Sequence, residues 1–107
     1  MINDDNAVKA LSALGHDVRL HLFRLLVRAG DGGLNVGQIG THLGVPPSTL
    51  AHHLSALVDA GLVRQERQGR QIVNRADYGR IDALVGFLTD ECCCGVAIDP
   101  AADNDAA

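Results

Sequence analysis

Residues Gly44 to Gly61 read GVPPSTLAHHLSALVDAG, and the reading of this stretch decides the fold. Leu50, Leu54, Leu57 and Val58 recur at i, i+4, i+7 and i+8 and share one face of a helix, while Ser48, Thr49, His52 and Ser55 lie on the opposite face. Pro47 biases Pro46 to the extended geometry that an N-cap position wants, and Pro47 itself suits the first helical position. The spacing therefore predicts a helix that starts at Pro47, with a small, polar, hydrogen-bonding face turned outward.

Upstream, Val36 to Leu43 predicts a second short helix with Val36, Ile39 and Leu43 toward the core. Gly37 and Gly40 are poor helix formers, so packing has to hold this helix, and Gly40 is read as permitting a close helix-helix approach. Gly44 ends it by a left-handed turn. Downstream the period changes from helical to alternating. Leu62 to Arg67 is expected to pair with Arg70 to Arg75 across a Gln68-Gly69 connection.

Further out, Asp5 to Leu14 predicts a helix with Ala7, Val8, Leu11 and Leu14 on its apolar stripe and Gly15 as terminator. Asp17 is expected to cap a helix over Val18 to Ala29 with Val18, Leu22, Leu25 and Leu26 inward, closed by Gly30 to Gly33. His16 and His21 are read as surface residues of these helix ends. Tyr78 to Cys92 resumes a helical pattern with Ile81, Leu84, Val85 and Leu88 on one stripe. Beyond Gly95 the residues are small and acidic, the composition of a flexible tail. The outline is mainly α with a β-hairpin wing, a winged helix-turn-helix in the order α-α-α-α-β-β-α. It divides into a domain over 5–92 and a cysteine-containing, acidic end over 93–107.

The chain of 107 residues is 47% hydrophobic with no Trp, one Tyr and two Phe, so the expected core is aliphatic. A domain this small can leave an apolar helix stripe for a second copy to cover, which points to a homodimer. A net charge of −4 argues against a nucleic-acid partner, but the charges are segregated. Arg64, Arg67, Arg70, Arg75 and Arg80 face only Glu66 and Asp77 between positions 62 and 80, while Asp4, Asp5, Asp90, Glu91, Asp99, Asp103 and Asp105 sit near the ends. No run of 18 apolar residues occurs and the start of the chain is acidic rather than signal-like, so the expected setting is cytoplasmic, away from membranes. Three adjacent cysteines cannot build a secreted disulfide framework and are read as thiols or metal ligands.

For double-stranded DNA, Ser48, Thr49 and His52 are placed to reach base edges in the major groove, with His53 on the flank nearer a phosphate. Arg64, Arg67, Arg70 and Arg75 on the wing would neutralise phosphates, or one of them would enter the minor groove.

The stretches ALSALGHDVRLHLFRLL and VGQIGTHLGVPPSTLAHHLSALVDAGLVRQERQGRQIVNR resemble the ArsR/SmtB family of metal-sensing repressors, over roughly Ala7 to Leu88. The run STLAHHLSALVDAGLVRQERQGR is the most specific part, because it holds recognition helix, turn and wing in one register. The resemblance implies dimerisation through the first and last helices and release of operator DNA when a ligand binds. Two familiar sensor sites of the family are missing: Leu34, Asn35, Val36 and Gly37 offer no thiol, and Tyr78 to Thr89 contains Asp82 but no His. What remains is Cys92, Cys93 and Cys94, placed where some arsenite-responsive members carry vicinal cysteines.

On a continuous helix three adjacent side chains project about 100° apart, so the outer two diverge by about 200° and cannot share one ion. Either the helix ends at this segment, which Gly95 permits, or only two thiols share a ligand. Adjacency also misses the spacing of structural zinc sites, whereas trivalent arsenic needs two or three sulfurs and no tetrahedral cage. The expected inducer is therefore arsenite, or antimonite, on Cys92, Cys93 and Cys94 or on two of them, within one chain or across the dimer, without an organic cofactor. Another soft metal ion and a thiol redox sensor are the alternatives; Asp90, Glu91 and a helix C-terminus disfavour the reactive thiolate that the latter requires. A winged-helix protein-interaction module is a further alternative, and no nucleophile with a neighbouring base marks an enzyme.

Overall fold

The computed structural model describes residues 2–98. Residues 99–107, most of the acidic tail, lie outside the described residues. Five helices and one hairpin follow each other as α1 (Asp4–Leu14), α2 (Asp17–Ala29), α3 (Val36–Leu43), α4 (Pro47–Asp59), β1 (Val63–Gln68), β2 (Gln71–Ala76) and α5 (Tyr78–Thr89). A single 3₁₀ turn, Gly30–Gly32, follows α2. This is the expected winged helix-turn-helix order.

The core is aliphatic, with Leu22, Leu26, Ile39, Leu50, Leu57, Leu62 and Leu84 fully buried where α2, α3, α4 and α5 meet. The two helices of the motif start and stop as the sequence indicates. Pro46 is the N-cap of α4 with φ −59° and ψ 148°, and Pro47 opens the helix. Gly44 closes α3 at φ 67°, a left-handed residue that only glycine adopts without cost. A Cβ on Gly40 would lie 3.4 Å from the Val45 carbonyl and 3.7 Å from Leu50, so its lack of a side chain permits the tight packing of α3 on α4.

Several stripes are rotated from the sequence expectation. In α1 the buried residues are Ala7, Ala10 and Ala13, and Val8 and Leu11 face outward. Small side chains let α1 approach its neighbours, and the branched residues are left for solvent or a partner. In α5 only Leu84 is buried, while Val85 and Leu88 are exposed. Asp17 does not cap α2: His16 occupies that position without a side-chain cap bond, and Asp17 in the first turn pairs instead with His21 at 3.1 Å. The α3 cap is stronger than expected, a capping box in which Asn35 accepts from the Gln38 backbone N–H and Gln38 accepts from that of Asn35.

The wing is also shifted. Val63 pairs with Ala76 and Gln68 with Gln71, so the turn is Gly69-Arg70 rather than Gln68-Gly69, and Arg70 leaves the strand for the tip. What decides the register is the inner end. Leu62, Val63, Val73 and Ala76 are buried, and Asn74, completely inaccessible, donates from its amide to the Leu34 carbonyl while accepting from Gln65. Backbone bonds between Leu34 and Asn74 complete an isolated bridge between the wing and the segment before α3. Gly33 is required there: at φ 62°, a Cβ would stand 2.6 Å from both the Asn74 carbonyl and Val73.

Candidate nucleic-acid interface and thiol pair

The face of α4 turned away from the core carries Ser48, Thr49, Ala51, His52 and Ser55, all exposed. Of the residues predicted to reach DNA from this helix, Ser48, Thr49 and His52 therefore share an open surface. His53 does not. It stands three residues after Leu50 and four before Leu57, which puts it on the apolar stripe, and it is 6% exposed. Its ring packs against His16 with centroids 4.6 Å apart, so it is a core-edge residue rather than a phosphate contact. Burial first, and then the neighbouring His16, Arg19 and His52, hold its pKa below the ordinary value.

The four wing arginines do not form one strip. Residues directly opposite in the hairpin share a face, so Arg64 lies beside Arg75, whereas Arg67 lies beside Ile72 on the other face. Arg75 is committed internally, donating to Glu66 Oε1 at 2.6 Å and to the Asp31 carbonyl at 2.6 Å. That hydrogen bond is the main reason the Glu66 carboxyl sits below its usual range. Arg64 makes only a long pair with Asp77 at 3.8 Å, and Arg67 and Arg70 are exposed without an ion-pair partner among the described residues. The wing cations left without a close partner among the described residues are thus Arg64, Arg67 and Arg70. Gln38, Thr41 and His42 add exposed polar groups on α3; the sequence signal for them was the outward side of the Val36, Ile39, Leu43 stripe.

The thiols occupy a different place from the one expected of a long last helix. Helix α5 stops at Thr89, with Asp90 as its C-cap. The chain then turns through Glu91 at φ 58° and Cys93 at φ 65°, left-handed conformations that cost a non-glycine residue some energy. Bonds from the Cys92 N–H to the Thr89 carbonyl and from the Cys94 N–H to the Glu91 carbonyl hold these turns. The outcome is a pair, not a triad. Cys92 and Cys93 Sγ atoms are 3.1 Å apart, whereas Cys94 Sγ is directed at the Cys92 carbonyl at 3.9 Å. Among the described residues no group of three or more His, Cys, Asp or Glu side chains converges as a metal site. All three thiols are exposed, and the contact with Cys93, followed by partial desolvation, pushes the Cys92 thiol up. No helix of the described residues is long and apolar enough to cross a membrane.

Residues 14–66 match the family model described as a helix-turn-helix domain. The chain is 33% identical over 78 residues, 73% of its length, to a biofilm growth-associated repressor of Xylella fastidiosa, of which it spans 66%. It is 37% identical over 62 residues to a protein of Halobacterium salinarum named as an arsenical resistance operon repressor, covering 58% of this chain and 51% of that one. The chain therefore spans less than two thirds of these curated relatives. Among solved structures, it is similar to the homodimeric winged helix-turn-helix DNA-binding domain of a possible ArsR-family transcriptional regulator from Mycobacterium bovis. The TM-score is 0.64, with 32% identity over 81% of each chain. All three are named as transcriptional regulators or repressors rather than enzymes.

Proposed function

Because this chain belongs to the ArsR family of winged helix-turn-helix transcriptional regulators, we propose that it is a homodimeric repressor that leaves its operator when trivalent arsenic binds Cys92 and Cys93. The observation that carries the ligand is the 3.1 Å spacing of these two sulfurs in an exposed turn just after the last helix. At a zinc-like metal–sulfur bond of about 2.3 Å, that spacing subtends about 85° at a shared ion, well short of a tetrahedral angle. A soft three-coordinate ion with a pyramidal arrangement matches it better, and it replaces the thiol protons whose retention disfavours the free thiolate. Cys94, or water, is left for the third position.

On the output side, Ser48, Thr49 and His52 enter the major groove and read base edges, while Arg64, Arg67 and Arg70 neutralise flanking phosphates. Two copies related by a two-fold axis present two such helices to half-sites about one helical turn apart. The ligand acts by changing how the two copies sit on each other, since the thiol turn continues directly from α5. A coupling of about 1–3 kcal/mol lowers operator affinity by roughly 5- to 150-fold.

The test is a titration of arsenite, antimonite, zinc, cadmium and a mild oxidant into the complex with a duplex from upstream of the protein's own coding region, read by fluorescence anisotropy. Release by trivalent arsenic or antimony is expected. Cys92→Ser and Cys93→Ser should each abolish the response with duplex affinity retained, and Cys94→Ser should weaken it less. Release by oxidant alone would replace arsenic sensing by thiol oxidation, and release by zinc or cadmium alone would replace it by another soft ion. An affinity for duplex that does not fall as salt rises would favour a protein-interaction module.

A further inference from the structure

At the edge of the leucine core, the recognition helix meets the start of α2 through two imidazoles and no ion pair among the described residues. His53 of α4 is almost wholly buried, with its ring 4.6 Å from that of His16, the residue before α2, and 5.6 Å from that of His52. Its Nδ1 has no hydrogen-bond partner, and the same is true of the buried Nε of Arg19, in the first turn of α2. The charged and titratable groups acting on His53 are His16 and Arg19 from the α2 side and His52 on its own helix, all of them bases. Asp17 pairs with His21, and Asp5 and Asp59 line with Arg19 a cleft against α1, so these carboxylates are set toward other groups than His53. From α1, α3 and β1, the other elements packed on α4, no carboxylate acts on His53 among the described residues.

We propose that the His16–His53 pair is an acid-released latch on the recognition helix: neutral rings pack and hold α4 against α2, and proton uptake parts them and loosens α4. A proton on the buried His53 ring adds a positive charge beside His16 and Arg19 where no carboxylate acts on it, so like charges repel at short range. The depressed pKa of His53 has the same physical origin, burial first and then these bases. The sign follows from proton binding. The unfolded chain, with histidine near about 6.5, takes up protons before the latch does, so its contribution is fully present above that pH and is lost as pH falls through the lowered value.

This inference concerns the protein without DNA and is independent of arsenic sensing. Amide hydrogen exchange over Pro47–Asp59 in the full chain at pH 7.5 and 5.5, corrected for intrinsic rates, reads it directly. Acid should reduce protection across α4 more than across β1 and β2, and His53 should titrate below the free value in its imidazole NMR signals. His53→Gln tests the buried ring itself. Should that variant not fold, His16→Gln alters only an exposed residue, and it should shrink the acid-dependent loss. Equal protection of α4 at the two pH values overturns the latch, as does a loss unchanged in His16→Gln or a His53 titration at or above the free value.

Discussion

Arg70 and Arg75 carry the same charge on the same hairpin and have different work. Arg75 bonds Glu66 and the Asp31 carbonyl, which fixes the inner part of the wing to the turn after α2. Arg70 occupies the exposed turn, where nothing among the described residues competes with a phosphate for it. Arg70→Ala is therefore expected to weaken binding to every duplex sequence and to reduce the steepness of log K against log salt by about 0.9 for its one phosphate. Arg75→Ala should leave that slope nearly unchanged while loosening the wing; anisotropy titrations at four salt concentrations separate the two. Asn74 carries a different cost. Truncating it to Ala removes its side-chain bonds to the Leu34 carbonyl and to Gln65 while the backbone bond from the Asn74 N–H to Leu34 stays, which should lower stability by about 0.5–1.5 kcal/mol for each bond lost, read in urea unfolding.

Among the elements, α3 depends most on its ends. It has eight residues, two of them glycine, and one buried side chain, Ile39. Such a helix is marginal by itself, so its start has to be supplied by Asn35, which also donates to Gln71 at 2.6 Å and so ties the first helix of the motif to the wing. Asn35→Ala removes the capping bond and this tie together. A loss of about 0.5–2 kcal/mol is expected for the cap alone, measured as a shift in the denaturation midpoint. Helix α4 needs no such side-chain cap, because its proline pair sets the entry geometry. That difference explains why the start of α4 was the most legible boundary in the chain. The capping box of α3 is equally present in the Asn35 and Gln38 spacing, but the two glycines of the helix lower the propensity that a local reading weighs.

At the scale of the whole molecule, half of the exposed large apolar residues among the described ones fall on the first and last helices, the others being Leu20 and Val27 on α2, Ile72 on the wing, and Val96 and Ile98 beyond α5. Val8 is 66% and Leu11 42% exposed on α1, and Val85 is 55% and Leu88 57% exposed on α5. A single copy has nothing to cover them, and a two-fold partner brings like against like. We infer that this face is the dimer contact. Leu88→Asp is expected to shift sedimentation toward the monomer and, because each half-site then binds alone, to reduce operator affinity by at least about tenfold. The core Leu residues being untouched, its far-UV circular dichroism should stay that of the parent; a dimer that persists in Leu88→Asp would place the interface elsewhere.

Periodicity, the proline pair and the glycine punctuation were enough to determine the number, order and type of the elements, because each of these signals acts over a turn or less of chain. They also marked Ser48, Thr49 and His52 as an outward polar face. Which side of α1 and α5 is buried, which wing arginines are free, and the burial of His53 were decided only by tertiary structure. These depend on what lies opposite: alanines that allow close approach, Glu66 and the Asp31 carbonyl across from Arg75, and His16 brought beside His53 from 37 positions earlier. The cysteines follow the same division. The sequence showed three neighbours and limited how many could converge on one ion, and the turn after Thr89, through its left-handed residues, brought together Cys92 and Cys93 and left Cys94 apart.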